Sequence, residues 1–200
     1  MVDQVNTALR RVPAWTIYIV CTAWVAWLFY LGATNQLGPE PINTLEREYG
    51  ELALKLIVFG LLVTPLRRLA GINLMKFRRA IGVSAFFVVL AHLLVWAILD
   101  VQTWERVWTE IVKRPYVTVG MAAFLLMVPL AVTSNNWSVR KLGAAWRQLH
   151  KLVYPVAVLG ALHYLWLVKG FQLEPIIYMV VILGLVAWRY WPAQRESRRT

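Results

Sequence analysis

Ala80-Ile-Gly-Val-Ser-Ala-Phe-Phe-Val-Val-Leu-Ala-His92-Leu-Leu-Val-Trp-Ala-Ile-Leu99 is a run of 20 residues in which His92 is the one side chain able to carry charge. About 20 mainly apolar residues in a helix cross the roughly 30 Å of bilayer hydrocarbon, so this stretch reads as a membrane span. Five further apolar stretches accompany it: Ala14–Gly32, Leu52–Leu66, Tyr116–Thr133, Leu152–Val168 and Pro175–Trp188. With 60% hydrophobic residues and mean hydropathy +0.56 over 200 residues, the chain exceeds the apolar share of globular domains. The expectation is an all-α integral membrane protein, a bundle of six transmembrane helices forming one membrane domain over residues 1–200, with no separate soluble domain. The first stretch is longer than a signal-peptide core of about 7–15 residues, so it reads as an uncleaved helix. Lys55 in the second can snorkel to the interface.

The charges orient the bundle. One set of loops carries Arg10, Arg11, Arg67, Arg68, Lys76, Arg78, Arg79, Arg140, Lys141, Arg147, Lys151, Arg189, Arg195, Arg198 and Arg199; the other carries Arg47, Arg106, Lys113, Arg114 and Lys169. Fifteen against five places both termini in the cytoplasm by the positive-inside rule. This partition, facing anionic lipid, accounts for the net charge of +11 without a nucleic-acid partner. The outer loops hold Glu40, Glu46, Glu48, Asp100, Glu105, Glu110 and Glu174, together with Trp104 and Trp108. These tryptophans suit an interfacial belt or a contact for an outer partner. The single cysteine, Cys21, excludes an intrachain disulfide, a Cys-ligated iron–sulfur cluster and a C-x-x-C-H haem attachment.

All three histidines, His92, His150 and His163, fall in or at the edge of the third and fifth spans. Ionisable groups are costly in a bilayer and default to function there; the alternative is a neutral imidazole bonded to a backbone carbonyl. At about 1.5 Å per residue, His92 lies roughly 18 Å past Ala80, and His163 roughly 20 Å past His150. The two spans run in the same direction, so His92 and His163 reach similar depth. That suits one haem b between facing helices, with an imidazole on each axial position and the second ring nitrogen donating to a carbonyl or hydroxyl. His150 sits where the fifth span enters the membrane, about 140° around an ideal helix from His163, with Pro155 between them able to change that angle. It is open to a second haem, a flavin or quinone contact, or a structural role. The basic segment around Arg78 and Arg79 can hold a flavin phosphate as a charge cluster, or simply express the positive-inside signal.

The block Arg140-Lys-Leu-Gly-Ala-Ala-Trp-Arg-Gln-Leu-His150-Lys-Leu-Val-Tyr154, followed by Leu162-His163-Tyr164-Leu-Trp166, resembles the MsrQ (YedZ) family. Further matches are Arg78-Arg79-x-x-Gly82 leading to His92, Thr64-Pro65-Leu66, Lys113-Arg114-Pro115-Tyr116 and Thr133-Ser134-Asn135, so the likeness extends over roughly residues 35 to 190. That family lies in a ferric-reductase-like transmembrane group, whose members carry two histidines on each of two helices; this chain has only His92 on its third span. The resemblance implies a multi-pass protein of the bacterial inner membrane. It implies an electron-transfer subunit of an oxidoreductase complex rather than a catalyst alone, with haem b and also FMN as cofactors. Electrons would pass from the quinone pool or a flavin reductase to a periplasmic molybdopterin enzyme, MsrP, that repairs methionine sulfoxide in oxidised proteins. Independently of it, the chain has no G-x-G-x-x-G on a strand–helix unit and hence no nucleotide-binding domain with which to oxidise NADPH itself. Two other classes remain at this point. One is a transporter or proton path with histidine relays, against which stand the lack of carboxylates within the spans and of an internal repeat. The other is a structural membrane anchor without haem.

Overall fold

The computed structural model describes residues 2–168 and 170–190. Lys169, Arg195, Arg198 and Arg199, counted among the loop charges, lie outside the described residues. The described chain is helical: α1 (Val2–Arg11), α2 (Thr16–Ala33), α3 (Pro41–Leu69), α4 (Arg78–Leu94), α5 (Trp104–Lys113), α6 (Pro115–Val132), α7 (Asn136–Leu142), α8 (Ala144–Leu149), α9 (Val153–Leu167) and α10 (Leu173–Tyr190). A 3-10 turn, Met75–Phe77, precedes α4, and another, His150–Leu152, leads into α9.

Five stretches are long and apolar enough to cross a membrane: α2, α3, Met75–Val101 (α4 with its flanking turns), α6 and α10. The sixth expected span is α9. Its 15 residues rise only about 22 Å, short of the hydrocarbon thickness. The chain is an integral membrane protein in which five helices, rather than six, meet the length of a full crossing among the described residues.

Helix α3 starts at Pro41, not at Leu52. Proline suits a first helical turn, where its missing N–H has no partner to lose, and Leu45, Tyr49, Leu54, Ile57 and Leu61 then form a buried stripe. The Tyr49 hydroxyl donates to the Val25 carbonyl, 2.7 Å away, tying α3 to α2. The extension brings Glu46 and Glu51 into the helix, and both line the central cavity described below. Lys55 pairs with Glu51 one turn earlier, at 2.5 Å.

The core lies where α3, α4, α6, α9 and α10 meet, on Leu54, Ile57, Ala85, Met127, Ala157, Ala161 and Ile182. Small residues on α9 (Ala157 and Ala161, both 0% exposed) let neighbouring backbones approach. Helix α3 packs along α4, α6 along α9, and α10 covers α9. Beyond His92, α4 widens into a π-helical segment, Val95–Val101, which ends where Gln102 takes φ 69°. Such segments recur at functional sites.

Candidate haem-binding cavity between α4 and α9

The structure brings His92 of α4 and His163 of α9 together. Their ring centroids are 6.3 Å apart and their planes make an angle of 79°. Each ring is held by a different neighbouring helix. His92 Nδ1 lies 2.9 Å from the Glu46 carbonyl oxygen of α3, and His163 Nδ1 lies 2.7 Å from the Tyr116 carbonyl oxygen of α6. A carbonyl only accepts, so both Nδ1 atoms carry the proton and both Nε2 atoms keep a lone pair.

A backbone feature makes these bonds possible. Four residues after each acceptor stands a glycine, Gly50 after Glu46 and Gly120 after Tyr116. Helical Cβ atoms tilt toward the N-terminus, so the side chain at i+4 covers the carbonyl at i. With glycine that carbonyl is bare on one side, and its second lone pair can take the imidazole N–H. A Cβ on Gly120 would stand 2.8 Å from His163 Nδ1, and one on Gly50 would stand 3.3 Å from His92 Cε1.

Both histidines line a cavity with about 1120 Å³ of atom-free space, its open mouth included. Its wall is mainly apolar, with Leu54, Ile57, Val89, Phe124, Met127 and Val156; Glu46, Arg47, Glu51 and Tyr164 add polar groups. An apolar cleft with few placed polar groups is the usual form of a cofactor site. Two imidazoles facing each other, each about 2 Å from a shared metal ion, hold their centroids about 6 Å apart, as these are. Among the described residues no three His, Cys, Asp or Glu side chains gather into a metal-ion cage. Two nitrogens are too few for a bare ion such as zinc, which takes four ligands, but two imidazoles are a donor set that would hold a haem iron. The residues present fit a haem.

His150 belongs elsewhere. Its ring stacks on Trp146 at 3.8 Å, and its Nε2 lies 3.0 Å from Thr133 Oγ1. That hydroxyl is 2.6 Å from the Pro129 carbonyl, to which it donates, so it accepts from His150 Nε2–H. Trp146 Nε1 donates to the Thr133 carbonyl at 2.9 Å. Burial, then the nearby charges of Arg78 and Arg79, hold His150 below the usual histidine pKa. Arg79 donates to Asn136 Oδ1 at 2.7 Å. Arg78 and Arg79 thus neighbour His150 and are not part of the His92–His163 cavity.

The sequence analysis expected a carbonyl or hydroxyl acceptor for each ring but named neither Glu46 nor Tyr116. A carbonyl has no residue signature, and the available signal was a mid-helix glycine, meaningful only once a histidine is known to face it.

A family model described as "Ferric reductase like transmembrane component" matches residues 49–161. The protein-methionine-sulfoxide reductase heme-binding subunit MsrQ of Brucella ovis is 46% identical over 196 residues, covering 94% of this chain and 89% of its own length. The proteins of the same description from Brucella canis and Brucella melitensis biotype 2 align with the same identity and coverage. No solved structure matches the chain.

Proposed function

The chain belongs to the MsrQ family of haem-binding membrane subunits, and from that premise we propose that it carries electrons across the bacterial inner membrane through a haem b held by His92 and His163. The observation that carries this reading is the facing pair itself: two imidazoles 6.3 Å apart, each with its Nδ1 proton committed to a backbone carbonyl. The carbonyls fix both tautomers, so each Nε2 keeps a lone pair that would hold a haem iron, and the acceptor would raise the basicity of that ligand. A haem so held takes up and releases one electron at a time. The protein's own part is to orient the rings and to keep water from the site with its apolar wall.

On this reading the chain crosses the membrane six times, with the short α9 as the remaining span and His150 at its cytoplasmic edge, outside it, and both termini are cytoplasmic. His150, Arg78 and Arg79 then stand toward the cytoplasmic side. There the two guanidinium groups provide a contact for the phosphate of FMN, and electrons enter from a quinol or a separate flavin reductase. The acceptor is a periplasmic MsrP-like molybdopterin reductase docking on the outer loops, around Leu37–Tyr49 and Val101–Arg114.

The test is the haem content and optical spectrum of the purified protein and of three single variants. The parent should show low-spin haem b. His92→Ala and His163→Ala should each give high-spin haem or none, and His150→Ala should keep the low-spin spectrum. A His92→Ala protein with unchanged low-spin haem, alongside a colourless His150→Ala protein, would overturn the pairing.

A further inference from the structure

A second cavity lies at the opposite end of α3 from the residues that hold His92. It is bounded by α1, the end of α3 and the segment leading to α4, and has about 790 Å³ of atom-free space, its mouth included. Three cations line it: Arg10 from α1, Arg67 from the last turn of α3, and Lys76 from the turn before α4. No carboxylate lines it, and none of the three cations enters an ion pair among the described residues.

The cavity is built rather than a chance gathering of surface charge. Asn6 clips α1 to the loop twice: its Nδ2 donates to the Gly71 carbonyl at 3.0 Å, and its Oδ1 accepts from the Asn73 N–H at 2.9 Å. Gly71 permits that path with φ 71°. Lys76 Nζ donates to the Arg10 carbonyl at 2.9 Å, satisfying a carbonyl at the end of α1 that no further helical turn would reach. Leu9 packs against the buried group of Val63, Phe77 and Ile81. These contacts fix the backbone around the space and the Lys76 ammonium beside it; Arg10 and Arg67 bring two further positive charges to its lining, and the three repel one another unless an anion enters.

The surroundings indicate what kind of anion. Helix α1 buries no residue fully and carries apolar and basic side chains on its short length, the pattern of a helix lying in a membrane interface. Leu9 and the exposed Met75 line the cavity beside the cations, and Leu69, two residues after Arg67, is 78% exposed. A soluble phosphate would find no use for that apolar margin; a lipid presents its phosphate and its acyl chains together. The geometry points to a binding site for the phosphodiester headgroup of an anionic phospholipid, formed by Arg10, Arg67 and Lys76, which fastens α1 to the helical bundle at the membrane surface. It is distinct from Arg78 and Arg79, which line neither this cavity nor the histidine cavity.

The experiment uses the full-length protein in detergent, with bound lipid counted by native mass spectrometry after addition of phosphatidylglycerol or phosphatidylcholine. Phosphatidylglycerol should be retained preferentially. Because each basic side chain near a lipid surface contributes about fivefold in affinity, Arg67→Gln should weaken retention about fivefold, and Arg10→Gln combined with Lys76→Gln more than that. Arg140→Gln with Lys141→Gln, which removes as much charge outside the cavity, should leave retention unchanged. Equal losses in the control pair would mean diffuse attraction and overturn the site. Displacement of the lipid by inorganic phosphate or FMN at concentrations matching the lipid's would overturn the assignment to lipid in favour of a soluble phosphate. The far-ultraviolet spectrum of each variant verifies its fold, and Arg67→Gln alone, the mildest change, suffices for the comparison.

Discussion

His163 Nδ1 sits 2.7 Å from the carbonyl oxygen of Tyr116, in a space that exists because residue 120 has no side chain. His92 repeats the arrangement with Glu46 and Gly50. Two helices that do not carry the histidines, α3 and α6, therefore set the orientation of both rings through their backbones. This is a rigid form of support, because a helix-backbone carbonyl has no rotamer to change.

The two glycines are not equivalent, and that yields the first prediction. A Cβ at position 120 would approach His163 Nδ1 to 2.8 Å, which the ring can relieve only by leaving its hydrogen bond; at position 50 the closest approach is 3.3 Å, which a small shift relieves. Overpacking of this kind costs about 1–3 kcal/mol. Gly120→Ala should lose most low-spin haem, while Gly50→Ala should retain haem with a slightly altered spectrum. Haem-to-protein ratios and difference spectra of the two variants check this. Equal, unperturbed spectra would mean that the notches do not position the rings.

The second prediction concerns acid. His150 is held neutral below the usual histidine range by burial and by Arg78 and Arg79. The unfolded chain takes up a proton on this residue near pH 6.5, and the folded chain does so only at lower pH. Between those values the unfolded state binds more protons, so stability falls as the pH is lowered through and below about 6.5. His150→Gln removes the titrating group and should flatten that part of the profile. Thermal unfolding of both proteins from pH 8 to pH 5 is the measurement, and parallel curves would exclude His150 as the source.

The helices were legible from apolar content: α2, α4, α6, α9 and α10 lie within a few residues of apolar stretches read from the sequence, although α9 falls short of the length of a full crossing. The meeting of His92 and His163 also followed from counting rise per residue along two helices of the same direction. The start of α3 did not, because Glu46, Arg47 and Glu48 mask its hydropathy, although Pro41 and the Leu45–Tyr49 spacing were readable as a helix beginning. Helices α1, α5, α7 and α8 are short and carry too little apolar sequence to register as spans. The backbone acceptors of the histidines had no side-chain signature at all.

The orientation of the bundle can be tested directly. Reporter fusions after Thr200 and within residues 36–47 should report cytoplasm and periplasm respectively, as the fifteen-to-five division of basic residues requires. A periplasmic signal from the C-terminal fusion would invert every statement above about which side electrons enter.

The last prediction is where they leave. Glu46 and Tyr116, which hold the two rings, lie in the first two turns of α3 and α6, so the histidine pair is nearer to the 34–40 and 102–114 segments than to the opposite face. Helix α5, within the second segment, packs Val107 and Ile111 against Val101 and Val117 and turns Trp104 and Trp108 outward, 84% and 69% exposed. Those tryptophans suit the outer interface of the bilayer, leaving the loop ends beside them to meet an acceptor. With the proposed orientation, reduced haem in right-side-out vesicles should be reoxidised when an MsrP-like catalytic subunit is added outside, and in inverted vesicles it should stay reduced. If those side chains form an interfacial belt, Trp104→Ser with Trp108→Ser should leave that reoxidation intact; a loss would make them part of the acceptor's contact instead. Reoxidation in inverted vesicles alone would place the exit on the other face; no reoxidation in either would rule out this class of acceptor.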